Sequence, residues 1–225
     1  MNVIVFASRK GGSGKSTLTA HLAAQASTSV RRCLLIDGDS QGSLTLWHRL
    51  RRTGDIGLRN GTRDLAETVM AARQEGWHWA FIDTPPNMSQ VVADAVAAAT
   101  LVVIPARLAV FDLAAIKETI DLARQARKPY AVVINAAPAR RDNTESSFVT
   151  EAREAIAKLN VPVWGGQITN RADYALALAS GQGAKEYNAQ SQAAAEIARL
   201  WSAIDRSVKT IHGSRGGAAM HRVAA

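Results

Sequence analysis

An apolar run, Val3-Ile4-Val5-Phe6-Ala7, leads directly into Ser8-Arg9-Lys10-Gly11-Gly12-Ser13-Gly14-Lys15-Ser16-Thr17, and that segment into a helical pattern from Leu18 to Ala26. A strand, a glycine-rich turn and a helix in this order form one supersecondary unit, a phosphate-binding loop on an α/β sheet. Flexible glycines let successive backbone N–H groups converge on phosphate oxygens. Lys15 neutralises the β and γ phosphates, and the Ser16 hydroxyl is offered to Mg²⁺. The ordinary pattern wants glycine six residues before Lys15, where this chain has Arg9, so a second lysine, Lys10, stands inside the loop. These residues make a nucleotide-dependent ATPase the expected class.

The rest of the chain repeats the alternation. Strand candidates lie at Val3 to Ala7, Cys33 to Asp37, Trp79 to Asp83, Leu101 to Pro105 and Tyr130 to Asn135, with a shorter one near Val161 to Trp164. Leu18 to Ala26, Leu65 to Arg73, Val91 to Ala98, Leu113 to Arg124 and Ser147 to Leu159 space apolar side chains three or four apart, as helices covering a sheet do. The expected fold is α/β, a single doubly wound, mostly parallel sheet flanked by helices. Gly54 to Gly61 reads as a loop, residues 1–208 as one ATPase domain, and 209–225 as a flexible tail. Cys33, inside an apolar run, reads as a buried small hydrophobe. Trp47, Trp77 and Trp79 read as core fillers, and His21 as structural.

Ligands collect at the carboxyl ends of strands in such a sheet, so Asp37, Asp39, Asp83 and Asn135 converge on the rim that carries the loop. Ile82-Asp83-Thr84-Pro85-Pro86 ends a strand with an acid that would hold Mg²⁺ through its water shell. In Asp37-Gly38-Asp39 two acids are spaced by one residue: Asp37 supports the metal side, while Asp39, reaching further past the strand, aligns water for in-line attack on the γ-phosphate.

With these motifs the chain resembles the ParA/MinD family of deviant Walker A ATPases, and within it the small ParA-type partition proteins. The matches are Lys10-Gly-Gly-Ser-Gly-Lys15-Ser16-Thr17, Asp37-Gly-Asp39-Ser-Gln41-Gly, Ile82-Asp83-Thr-Pro-Pro86, and Ile134-Asn135 followed by Pro138. The resemblance implies an ATP-dependent sandwich homodimer in which Lys10 reaches the partner's nucleotide. Gly11, Gly12, Ser13, Gly14, Lys15, Ser16 and Thr17 would cradle ATP and Mg²⁺, and Asn135 would touch adenine. Ser40 stands where such proteins usually have proline, and Arg9 is unusual before the signature lysine. Physically, a second cation one short loop from Lys15 either crowds the same site or serves a facing subunit. In the second case bound triphosphate cancels the repulsion between opposing lysines, which makes ATP a dimerisation switch.

The excess of 27 Lys and Arg over 19 Asp and Glu, a net charge of +8, permits salt-sensitive attachment to nucleic acid, and equally to an anionic membrane or an acidic protein. Arg140, Arg141, Arg171, Lys185 and Arg199 are the candidate contacts to nonspecific double-stranded DNA. Without a bulky apolar face the tail does not read as a membrane helix, and the start of the chain reads as neither leader nor anchor, so a cytoplasmic, nucleoid-associated protein is expected. The expected function is ATP-driven partition of a plasmid or chromosome, with a ParB-like or other adaptor stimulating hydrolysis. The alternatives are positioning of a protein assembly by the same cycle, and a metabolic P-loop kinase or ligase.

Overall fold

The computed structural model describes residues 1–87, 89–107, 112–142 and 144–214. Six parallel strands form one sheet: β1 (Asn2–Phe6), β2 (Cys33–Asp37), β3 (Ile56–Asn60), β4 (Trp79–Asp83), β5 (Leu101–Ala106) and β6 (Tyr130–Ile134), in the spatial order β3-β2-β4-β1-β5-β6. The helices are α1 (Lys15–Ala26), α2 (Ser43–Leu50), α3 (Leu65–Gln74), α4 (Gln90–Ala98), α5 (Asp112–Gln125), α6 (Ser147–Ala157), α7 (Ala172–Ala179), α8 (Ala184–Tyr187) and α9 (Gln192–Ser214).

Strand alternation sorts the core into two layers. Ile4 and Phe6 of β1 face one layer with Leu18 and Leu22 of α1 and Leu200, Trp201 and Ile204 of α9. Val3 and Val5 face the other with Val92 and Val96 of α4 and Ile116 and Ile120 of α5. A sheet covered on both sides explains why its strands are apolar throughout. Cys33, Trp47 and Trp79 are buried in the first layer, as expected, and Trp77 is half-buried under the Arg32 guanidinium, 4.2 Å from its ring.

Three expectations are corrected. Gly54 to Gly61 is not a loop: Ile56–Asn60 pairs in register with Cys33–Asp37 as an edge strand. Gly57 is there for closeness, since a Cβ would lie 2.5 Å from the Trp77 indole. Val161 to Trp164 makes only an isolated bridge, Val132 with Val163, because Pro162 has no N–H for a ladder and Gly165-Gly166 follow at once. Residues 209–214, expected in the flexible tail, continue α9 and bury Ile211, while 215–225 lie outside the described residues. No helix among the described residues is long and apolar enough to cross a membrane.

Candidate functional site

Every predicted site residue except the basic set lies on the rim formed by the carboxyl ends of β1, β2, β4 and β6. The loop after β1 turns through Gly12 (φ +71°) and Gly14 (φ +96°), the left-handed region that favours glycine, and Gly14 delivers the chain into α1. A Cβ at Gly14 would lie 2.1 Å from the Asn135 amide nitrogen. That nitrogen donates to the Ser13 carbonyl at 2.7 Å, so β6 braces the loop from beneath.

Lys15, 6% exposed, donates from Nζ to the Ser8 carbonyl at 3.2 Å and the Lys10 carbonyl at 3.5 Å. Burial lowers its pKa, opposed by the charges of Asp83 and Asp39. The ammonium is thus held under the loop by weak, replaceable acceptors, where phosphate oxygens would be stronger ones.

Asp83 is fully buried, and neither carboxylate oxygen has a hydrogen-bond partner. Burial pushes its pKa up to about 7, against the pull of Ser16 and Lys15. An orphaned buried carboxyl costs folding free energy. Beside the Ser16 hydroxyl and a phosphate loop, this donor set fits a hydrated Mg²⁺. The Thr84 hydroxyl donates to the Phe6 carbonyl at 2.8 Å and fixes the exit of β4 against β1.

Asp37, expected on the metal side, is engaged by protein donors. Its Oδ2 accepts from the Thr45 backbone N–H at 2.9 Å and hydroxyl at 2.7 Å, and its Oδ1 from the Asp39 N–H at 3.3 Å, so both oxygens accept from protein donors. The geometry makes it the anchor of the Asp39 turn and of the start of α2. Gly38 permits that turn: its N–H donates to the Asp83 carbonyl at 3.0 Å, and a Cβ there would sit 2.7 Å from the same oxygen. Asp39 is half-buried at the rim, with Oδ1 accepting from the Gln41 N–H at 3.0 Å. Thr45 was legible only as a helix-start residue after the Asp-Gly-Asp turn.

The basic residues divide. Arg171 is committed to Glu196 of α9, at 3.0 Å from Nη2, and that buried carboxylate also accepts from the Thr169 N–H and the Tyr174 hydroxyl. Arg140 pairs with Glu145. Arg141, Lys185 and Arg199 are exposed and form no ion pair among the described residues. Arg199 and Arg206 line a groove of about 450 Å³ with Trp164, Gly166, Ala198 and Ser202.

A family model described as the CobQ/CobB/MinD/ParA nucleotide binding domain matches residues 4–184. A maintenance of carboxysome distribution protein A from Halothiobacillus neapolitanus is 25% identical over 86% of this chain and 91% of its own length. A protein of the same description from Gloeobacter kilaueensis is 35% identical over 54% of this chain, which spans only 56% of that relative. Among solved structures, the Pyrococcus horikoshii septum site-determining protein MinD with Mg-ADP superimposes with a TM-score of 0.75 at 17% identity, over 93% of this chain and 98% of that one, a likeness of fold.

Proposed function

The chain belongs to the CobQ/CobB/MinD/ParA nucleotide-binding family of P-loop ATPases, with ATP and Mg²⁺ as its cofactors, and from that premise we propose that it is a positioning ATPase that distributes a protein assembly. The observation that carries an ATP switch is Lys10 in the same loop as Lys15, on a rim shared with Asp39 and Asp83. The likeness to two proteins of carboxysome distribution supports an assembly as cargo. Partition of a plasmid or chromosome, the first expectation from sequence, gives way to this alternative.

Bound Mg²⁺ supplies charge neutralisation on the phosphates. The chain's own residues do the rest. The backbone N–H groups from Gly11 to Gly14 and the Lys15 ammonium hold the phosphates, with Ser16 and Thr17 at the start of α1. Ser16 and Asp83 would hold the metal. Asp39, steadied by Asp37 and Gln41, orients the attacking water. Lys10 serves the nucleotide of a facing copy and couples ATP to dimerisation. The dimer then holds nonspecific DNA as a track until an adaptor stimulates hydrolysis.

Asp39→Ala tests the cycle. It traps an ATP-bound dimer, detected by light scattering after chromatography with labelled ATP, whereas a variant that stays monomeric and hydrolyses ATP normally removes Asp39 from the mechanism. Disrupting the gene in its host tests the cargo: clustered assemblies with stable plasmid inheritance support the reading, and plasmid loss with evenly spaced assemblies overturns it.

A further inference from the structure

Arg107 is the first residue past β5, the strand lying between β1 and β6. The Ala7 N–H donates to the Val103 carbonyl at 3.1 Å and the Asn135 N–H to the Ala106 carbonyl at 2.8 Å, so Arg107 emerges between the loop that follows β1 and its brace on β6. Its Nη1 lies 4.0 Å from where a side chain at Gly12 would begin, and Gly12 is the left-handed residue at the bend of the loop.

Two other cations of this loop are differently placed. Arg9 pairs with Glu118, and Lys15 is buried beneath the loop on backbone carbonyls. Arg107 is exposed and makes no ion pair with any described residue, and its guanidinium comes within 4.0 Å of where a Gly12 side chain would begin, at the bend of the loop. A guanidinium fork beside a nest of N–H groups offers a phosphate charge and two directed hydrogen bonds at once, which a lysine cannot match.

We propose that Arg107 is a further phosphate-contacting residue, acting in cis on the nucleotide held by its own loop. This rests on the nucleotide-binding reading above. The rule that picks out Asp83 and Asn135, a polar residue at the carboxyl end of a buried strand, also picks out Arg107.

The test is equilibrium binding of fluorescent ATP and ADP to dilute full-length protein, comparing wild type with Arg107→Gln, Arg107→Lys and Lys15→Ala. The side chain is exposed, so the fold tolerates the change, and circular dichroism confirms it. We expect Arg107→Gln to weaken ATP binding roughly tenfold and to flatten its salt dependence, with Arg107→Lys recovering part of the loss. Affinities within twofold of wild type overturn the proposal while leaving the loop intact, provided Lys15→Ala still loses binding. A loss confined to concentrations at which the dimer forms also overturns it, because the guanidinium then serves the partner's nucleotide. Wild type that binds neither nucleotide removes both readings together.

Discussion

The Asn135 side-chain amide donates to the main-chain carbonyl of Ser13 at 2.7 Å, joining the end of β6 to the phosphate loop. Asn135→Ala strands that carbonyl and frees the loop. Nucleotide affinity should fall by a similar factor, roughly tenfold, for ATP and GTP alike. Competition binding with both nucleotides checks this, and a loss confined to ATP assigns Asn135 to adenine instead.

Lys15→Ala and Lys10→Ala should part company. The first removes the buried ammonium beneath the loop and weakens ATP binding roughly ten- to hundredfold. The second retains monomer binding and fails to dimerise with ATP. Titration paired with mass measurement separates them, and equal losses of affinity would show that the lysines share one local role.

Asp83→Asn should raise the melting temperature of the nucleotide-free protein, because it replaces a buried carboxyl that has no hydrogen-bond partner. The same change should abolish the extra stabilisation that Mg²⁺ adds to ATP. Melting curves with and without each ligand give both signs. A variant less stable without ligand yet fully responsive to Mg²⁺ contradicts the assignment.

His21 accepts the Ala184 N–H on Nδ1 at 3.1 Å, and burial brings its pKa down to about 4 from 6.5. The unfolded chain therefore binds the proton first on acidification. Stability contributed by neutral His21 is complete above pH 6.5 and is lost as pH falls through 4, by on the order of 3 kcal/mol. Denaturation of wild type and His21→Asn between pH 4 and 7 should show their stability difference narrowing toward the acid end. A constant difference rules His21 out.

Arg199→Glu with Arg206→Glu should weaken binding of the ATP dimer to unrelated duplexes equally and reduce the salt slope by about two, one for each phosphate contact. Arg171→Ala should instead cost on the order of 2 kcal/mol of fold stability, because the Glu196 carboxylate loses its charged partner. Salt-dependent fluorescence binding and chemical denaturation measure the two effects separately.

The legible part of the molecule was its buried strands and the motifs at their ends: apolar runs with β-branched residues announce both, and Asp83 and Asn135 followed from position alone. The edge strand β3 escaped because Ile56-Gly57-Leu58-Arg59-Asn60 has too few apolar residues, and its glycine serves an indole contact rather than a turn. The stripe of Ile197, Leu200, Trp201, Ile204, Val208 and Ile211 was present in the sequence, yet the glycine and histidine near its end masked it. The hydrogen bonds that tie Asp37 to Thr45 and Arg171 to Glu196 depend on how the chain folds back on itself, and no local pattern carries them.

Helix α9 has a consequence for how the chain is made. Trp201 sets its ring edge-on to Trp79, 4.7 Å between centroids, and His212 Nε2 lies 2.7 Å from Asn2 Oδ1, so the earliest strand and the final turn of α9 meet. While the protein grows on the ribosome, the face of the sheet that α9 covers stays open until about residue 208 has emerged, long after the phosphate loop has been synthesised. Closure of this face therefore waits for α9, and a nascent chain stalled before it exposes Trp79 and Phe81 to whatever chaperone or neighbouring polypeptide reaches them first.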